Sequence, residues 1–135
     1  MIFIDTGAFI ARCVAADQHH KDALPLWKHI EQARPVCVTS NLVLNETLTY
    51  LGRHVDYAWA VQKGKVLYAS HWLGILRPTE EDERLALRHF EKYADQEVSF
   101  TDCVSFALMQ HRKIRQVFSF DRHFTLAGFE FYRQQ

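Results

Sequence analysis

Four acidic residues lie where their carboxylates could hold a metal ion. Asp5 follows the apolar run Met1–Ile4, which predicts a buried strand, and Asp121 follows another apolar segment. Glu46 and Asp102 lie near the predicted starts of helices. A carboxylate beside a buried strand is costly unless another charge offsets it, and carboxylates that converge raise each other's pKa. A hard divalent cation such as Mg²⁺ or Mn²⁺, which takes oxygen ligands, would remove that cost.

Each acid also has an ordinary structural explanation. Glu46 falls at the border of the apolar face of its predicted helix, where a solvated surface acid is common. Ser99 and Asp102 fit the S-x-x-D pattern of a capping box, and Asp121 could cap a turn. Asp5 is the hardest to explain in this way. The sequence leaves these alternatives open, because spacing alone does not show that the four side chains converge.

Apolar periodicity predicts the elements that position these acids. The predicted strands are Met1–Ile4, Val36–Thr39, 72–78, 116–120 and 129–132, the last at an edge, and the predicted helices cover 17–34, 41–54, 55–70, 79–94 and 99–113. Strands that alternate with helices predict an α/β fold, with a mostly parallel central sheet and helices on both faces. The working cleft of such a sheet lies at the carboxyl ends of its strands.

Local signals refine the predicted helices. Pro25 predicts a helix break or a first turn, and Gly64 predicts a weak point in its helix. Ser40 or Asn41 is expected to cap the helix that carries Glu46. The helix over 79–94 is expected to begin at a threonine cap with an acidic first turn. The apolar side chains that this helix is expected to turn inward are Leu85, Leu87, Phe90 and Tyr93.

The segments around the four acids resemble those of the PIN-domain family. In chain order they are FIDTGAF, LNETL, SFTDCVSFALM and VFSFDRHF, which together span nearly the whole chain. The size of the chain and its Asp-Thr opening are most similar to VapC-type toxins of toxin–antitoxin pairs. The resemblance implies a three-layer α/β/α sandwich and an Mg²⁺-dependent endoribonuclease that hydrolyses RNA phosphodiesters.

The same resemblance implies roles for particular residues. The acidic catalytic and metal-binding site would consist of Asp5, Glu46, Asp102 and Asp121, with Thr6 and Thr101 as supporting polar neighbours. It also implies that the protein forms a homodimer and is inhibited by a small antitoxin protein. Two adjacent apolar helices, between Tyr50 and Tyr68, are the expected place for a dimer or antitoxin contact, because aromatic residues are enriched in interface cores.

The residues expected to contact RNA are Arg53, Arg122 and His123, which lie next to the predicted acids. A further basic cluster, at 111–115, is better explained as a solvated helix end, where cations are favourable. Two other functional classes are weaker alternatives. A PIN-like module could bind RNA or protein without cutting, and a receiver-type signalling domain also has aspartates at strand ends.

Composition limits the class of protein. The 135 residues suit one domain over 1–135, and the 16 basic and 16 acidic residues balance, so any contact with nucleic acid must come from local patches. No apolar run reaches the roughly 20 residues that span a bilayer, and the N-terminal segment does not have the pattern of a signal peptide. Three cysteines, far apart, predict free thiols in a reducing cytoplasm. We therefore expect a cytoplasmic protein with no membrane contact.

Overall fold

A computed structural model describes residues 1–133, and this part of the chain forms five strands and seven α-helices. The strands are β1 (Ile2–Ile4), β2 (Cys37–Ser40), β3 (Leu73–Leu76), β4 (Gln116–Phe118) and β5 (Glu130–Phe131). The helices are α1 (Thr6–Cys13), α2 (His20–Ala33), α3 (Asn41–His54), α4 (Tyr57–Ala69), α5 (Glu80–Lys92), α6 (Phe100–His111) and α7 (His123–Leu126), with a 3₁₀ turn at Ala94–Gln96.

The five strands form one parallel sheet in the order β3-β2-β1-β4-β5. The chain moves outward from β1 to β3 and then returns to the other side of β1, so the strand order reverses between β1 and β4. Helices flank the sheet on both faces, and the predicted three-layer α/β/α sandwich is confirmed. A reversal of strand order opens a crevice at the carboxyl edge of a parallel sheet. The fold therefore places its natural binding cleft directly after β1 and β4.

The core lies between the central strands and the helices. All three residues of β1 are buried, and the largest fully buried side chains are mainly aromatic and aliphatic, including Phe3, Trp27, Phe106, Phe118 and Phe124. Cys37 and Cys103 are buried in this core and Cys13 is partly buried, and none of the three forms a disulfide, as predicted. Every helix within residues 1–133 is too short or too polar to cross a lipid bilayer.

Two helices differ from the prediction. Helix α1 was not predicted, because its eight residues follow β1 after a single residue and are themselves mostly apolar. Pro25 was expected to break or begin a helix, but it lies inside α2. Proline there removes one backbone hydrogen bond, and its exposed position leaves the packing of Ala23, Trp27 and Ile30 undisturbed.

Helix α5 presents a different face to the core from the one predicted. Leu87 is 58% exposed and Phe90 is also exposed, whereas Asp82 and His89 are buried. Asp82 completes a capping box with Thr79 at the start of α5, and it also accepts hydrogen bonds from His111 and Arg112 at the end of α6. The prediction for Leu87 and Phe90 was wrong. The polar contact between α5 and α6 places Asp82 on the buried side of α5, and Leu87 and Phe90 then face solvent.

Helices α3 and α4 form a tightly packed pair. Ser40 caps α3, as one of the two predicted alternatives, by accepting a hydrogen bond from the Val43 amide at 3.1 Å. Helix α4 runs through Gly64 without interruption, so the predicted weak point is not a break. A Cβ atom at position 64 would lie 3.1 Å from Cδ1 of Leu48, and the glycine therefore lets the two helices approach closely.

Candidate active site

Asp5 lies at the carboxyl end of β1 and is held by the neighbouring strand. It occupies the N-cap position of α1, but its side chain makes no capping hydrogen bond and is only 5% exposed. Its backbone amide donates to the carbonyl of Phe118, and Oδ2 accepts a 2.8 Å hydrogen bond from the hydroxyl of Ser119, just after β4. The buried carboxylate is therefore oriented by the β1–β4 pairing instead of being used to cap a helix.

Asp121 lies two residues beyond Ser119 in the turn that follows β4. Its amide donates to Ser119 Oγ at 3.1 Å, and its Oδ1 accepts the His123 amide at 2.9 Å. The second bond is the turn interaction that the sequence offered as an alternative explanation. The same carboxylate also lines the cleft beside Asp5. Ser119 thus connects the two strand-end acids, and sequence reasoning missed it.

The two helix-borne acids face the same cleft from either side of the sheet edge. Glu46 lies on the second turn of α3, close after the end of β2, and Asp102 lies in the first turn of α6. Ser99 caps α6 by accepting the Asp102 amide at 3.1 Å. Within the described residues the Asp102 carboxylate makes no return bond to the Ser99 backbone, unlike Asp82 in α5. The capping-box explanation therefore accounts for Ser99 but leaves the carboxylate of Asp102 unexplained.

Burial and the neighbouring negative charges raise the pKa of Asp5, Glu46 and Asp102. Burial, with smaller contributions from the charges of Glu46 and Asp121, raises the pKa of Asp5 from 3.8 to about 6, against the opposing effect of the Ser119 hydrogen bond. Burial and the charges of Asp5, Asp121 and Glu46 raise the pKa of Asp102 to about 9. Partial desolvation and Asp121 also raise the pKa of Glu46. The predicted convergence of Asp5, Glu46, Asp102 and Asp121 is therefore what the structure describes, and the site has an excess of negative charge.

The cleft has a volume of about 500 Å³. Asp102, Asp121 and His123 each offer a donor atom within 4.8 Å of the others, a spacing that suits one metal ion. Thr6 lines the same cleft and is 6% exposed, and its hydroxyl lies beside the Glu46 carboxylate, whose pKa it lowers. The carboxylate oxygens form a donor set that fits a hard divalent cation.

The remaining predicted residues are more scattered. Thr101 and Arg53 do not line the cleft, and Arg122 is an exposed residue at the N-cap of α7. His123 does line the cleft. Several other lining residues were not predicted as site residues, among them Asp17, His19, Tyr50, Glu97 and Phe120.

An aromatic pair lies at the rim of the cleft. The rings of His19 and Phe120 stack with centroids 4.3 Å apart and planes 2° from parallel. The sequence offered one indication that Phe120 lies near the site, because this residue stands between Ser119 and Asp121. The sequence carried no signal that His19, about 100 residues earlier, would stack on it.

The chain matches the family model described as the PIN domain over residues 2–130. It belongs to the PIN-domain family. This PIN domain is 34% identical over 129 residues to the protein named 23S rRNA-specific endonuclease VapC20 from Mycobacterium tuberculosis, a match that covers 96% of this chain and 95% of that protein. It is 31% identical over 125 residues to a VapC ribonuclease from Archaeoglobus fulgidus, covering 91% and 78%.

Solved structures agree with this assignment. The crystal structure of the Mycobacterium tuberculosis VapC20, described as a Sarcin-Ricin loop cleaving toxin, superposes with a TM-score of 0.85 at 32% identity and covers 96% of this chain and 97% of that one. A chain of a toxin–antitoxin complex from Klebsiella pneumoniae has the same fold, with a TM-score of 0.60 at 12% identity, covering 90% and 88%. The predicted PIN-domain family, its VapC-type class and the ribonuclease class of its homologues are confirmed, and the receiver-type alternative has no support.

Proposed function

We propose that this PIN domain is a divalent-metal-dependent endoribonuclease and the toxin of a VapC-type toxin–antitoxin pair. The observation that supports the proposal most is the convergence of four carboxylates, from four separate segments, in one cleft at the reversal of strand order. Such a cluster is unfavourable by itself, because each charge raises the pKa of its neighbours. Its electrostatic cost is explained if the cluster holds a cation.

We assign the catalytic and metal-binding roles to Asp5, Glu46, Asp102 and Asp121, and the ion to Mg²⁺, with Mn²⁺ as an alternative. A divalent cation bound there would polarise a phosphodiester and lower the pKa of a bound water. The protein's own contribution is to hold the carboxylates in place. Ser119 orients Asp5 through its hydroxyl, and the turn that binds the His123 amide fixes Asp121. Thr6 supplies a buried hydroxyl beside the acids, and Thr101 remains a predicted supporting residue.

The RNA is expected to extend from the cleft onto neighbouring positive charge. Arg53 on the last turn of α3 and Arg122 at the start of α7 are the proposed phosphate contacts outside the cleft. With equal numbers of acidic and basic residues in the chain, these contacts should be few. Binding should therefore depend on salt concentration less steeply than for a strongly basic protein.

Large-subunit ribosomal RNA is the substrate we propose to test first, because the VapC20 relative above is named as a 23S rRNA-specific endonuclease. The purified protein would be incubated with ribosomes and with deproteinised ribosomal RNA, with Mg²⁺ or with EDTA, and the products mapped by primer extension. A single Mg²⁺-dependent cut is expected. Transfer RNA and messenger RNA are tested as alternative substrates. A cut in one of these, and none in ribosomal RNA, would identify that RNA as the substrate.

Asp121→Asn is the sharpest variant for this test. The asparagine side-chain oxygen can still accept the His123 amide, so the turn is preserved while one negative charge is removed. Cleavage should fall by at least about a hundredfold, since a metal-holding carboxylate is lost. Glu91→Gln, an exposed acid on α5, is the matched control and should cleave normally. Full activity of Asp121→Asn, or cleavage that persists in EDTA, would contradict the proposal.

The partners are proposed to be a second copy of the chain and a small antitoxin protein. Helix α4 leaves Tyr57, Val61 and Val66 exposed, with Tyr57 at 67%, which is the kind of surface that a partner covers. Sedimentation of the wild-type protein should give a dimer at micromolar concentration, and Val61→Arg should give a monomer. A monomeric wild-type protein would remove the dimer from the proposal. Co-expression with the product of the adjacent reading frame tests the antitoxin, which should co-purify and suppress cleavage.

A further inference from the structure

The imidazole of His123 lies against two of the cleft carboxylates. Its Nδ1 atom is 2.9 Å from Oδ1 of Asp121, and single donor atoms of Asp102, Asp121 and His123 all lie within 4.8 Å of one another. The ring is largely enclosed, with 18% of its side-chain surface exposed. A nitrogen donor is thus present in a cluster that was predicted to offer oxygen atoms alone.

The other ring nitrogen shows which tautomer is present. Nε2 lies 3.0 Å from the carbonyl oxygen of Gln96, and a carbonyl oxygen can only accept a hydrogen bond. Nε2 therefore carries the hydrogen and donates it. In a neutral imidazole this leaves a lone pair on Nδ1, on the side that faces Asp102 and Asp121.

Nothing in the described part of the chain uses that lone pair. Nδ1 is shielded from solvent and has no hydrogen-bond partner there, and its contact with Asp121 does not have hydrogen-bond geometry. Two electron-rich atoms at this distance repel each other unless a positive charge lies between them. An unsatisfied ring nitrogen therefore lies beside the acids, in the same cleft as the buried hydroxyl of Thr6.

We propose that Nδ1 of His123 is a direct ligand of the divalent cation, together with Asp102 and Asp121, which makes this a mixed nitrogen–oxygen site. The inference rests on the metal site of the proposed function and adds a ligand to it. The Gln96 carbonyl has the role that a second-shell acceptor has for most metal-binding histidines, because it fixes the ring orientation and the tautomer. Asp5 and Glu46 lie outside this set of three, but both are near enough for their charges to raise the pKa of Asp102.

An imidazole ligand changes which ion the site prefers. Mg²⁺ favours oxygen ligands, whereas imidazole suits later divalent metals, and Mn²⁺ tolerates both. The site should therefore bind Mn²⁺ more tightly than Mg²⁺ by a margin that depends on His123. Replacement of His123 by glutamine, which keeps a polar side chain but removes the ring nitrogen, should reduce this preference.

Pulsed EPR of the Mn²⁺-loaded protein tests the proposal without measuring RNA cleavage. Directly coordinated imidazole gives ¹⁴N modulation, which should be present in the wild type, absent in His123→Gln and retained in His19→Ala. His19 is the matched control, because it lines the same cleft but its ring stacks on Phe120. Calorimetric titration should show that His123→Gln weakens Mn²⁺ binding by at least about tenfold, with a smaller effect on Mg²⁺.

Each result decides between stated outcomes. Absence of ¹⁴N modulation in the Mn²⁺-loaded wild type, or modulation that persists in His123→Gln, overturns the proposal. If His123→Gln does not fold, His19→Ala labelled with ¹⁵N-histidine still decides, because His123 is then the histidine left among the lining residues and the modulation must change with the isotope. RNA cleavage in Mg²⁺ without nitrogen coupling would keep the proposed function and reject only this ligand. A wild type that binds no divalent ion would refute both.

Discussion

Replacing Asp5 with asparagine should make the metal-free protein more stable and the enzyme inactive. Asp5 is buried next to other carboxylates, and its pKa is raised from 3.8 to about 6 mainly by that burial. In the absence of metal, folding at neutral pH must therefore ionise a carboxylate in an unfavourable place. Asparagine has no charge, and its side-chain oxygen can still accept the hydrogen bond from Ser119.

The size of the effect follows from the pKa difference. Between pH 4 and pH 6 the folded protein binds more protons at Asp5 than the unfolded chain does, so its stability falls as pH rises through that range and then stays level. A difference of one pKa unit corresponds to about 1.4 kcal/mol, and Asp5 should therefore cost about 3 kcal/mol at pH 8. For a chain of this length that free energy corresponds to roughly 10 °C in the unfolding temperature.

Thermal unfolding in EDTA, followed by circular dichroism at pH 4, 6 and 8, measures this. The gain of Asp5→Asn over the wild type should be near zero at pH 4 and largest at pH 8. Excess Mg²⁺ or Mn²⁺ should stabilise the wild type, because it binds the folded state, and should stabilise the variant less. Glu91→Gln, on the exposed surface of α5, is the control and should change neither curve. A variant that is less stable than the wild type in EDTA, or a gain that does not depend on pH, would refute the reasoning.

Three further predictions concern residues that support the site and the sheet. Ser119→Ala removes the hydrogen bond that lowers the pKa of Asp5, and it should weaken Mn²⁺ binding about tenfold and shift the pH dependence of binding upward; an unchanged calorimetric titration would contradict this. Asp82→Asn removes the charge that His111 and Arg112 contact and should cost about 2 kcal/mol in urea unfolding, whereas a loss below about 1 kcal/mol would show that the contact does not hold α5 on α6. Thr39→Val removes a buried 2.7 Å hydrogen bond to the backbone of β1 and should cost about 1 kcal/mol in the same assay, with no effect on cleavage if Thr39 acts only on stability.

Sequence patterns predicted the elements whose buried side chains are apolar, as in the strands. All five strands were predicted within two residues of both their ends, because short runs of β-branched and aromatic residues lie between turn signals. The face of α5 could not be predicted in this way. Its orientation depends on Asp82, which binds partners about 30 residues further along the chain. A helical wheel weighs apolar surface and has no information on a polar contact with another helix.

The candidate site divides in the same way. The four acids could be named because each lies in a recognisable local context, after a strand or near a helix cap. The residues that orient them depend on contacts between distant segments. The Gln96 carbonyl that binds His123 is 27 residues away, and no side-chain pattern could have indicated it, since the acceptor is backbone. His19 lies about 100 residues before Phe120 in the chain, and its stacking on that ring appears only in three dimensions.

The register of β1 against β4 is the physical reason that these local signals become one site. Ile4 pairs with Phe118, so the residues that follow each strand, Asp5 and Ser119, leave the sheet side by side and form their 2.8 Å hydrogen bond. Because side chains alternate across a sheet, a slip of one residue would turn a whole strand to the opposite face. The fully buried strand β1 makes such a slip costly, since it would also repack Phe3 against a different layer of helices. The same apolar core that stabilises the sheet therefore also fixes the Asp5 carboxylate, which is unfavourable by itself, at a position where it could bind a cation.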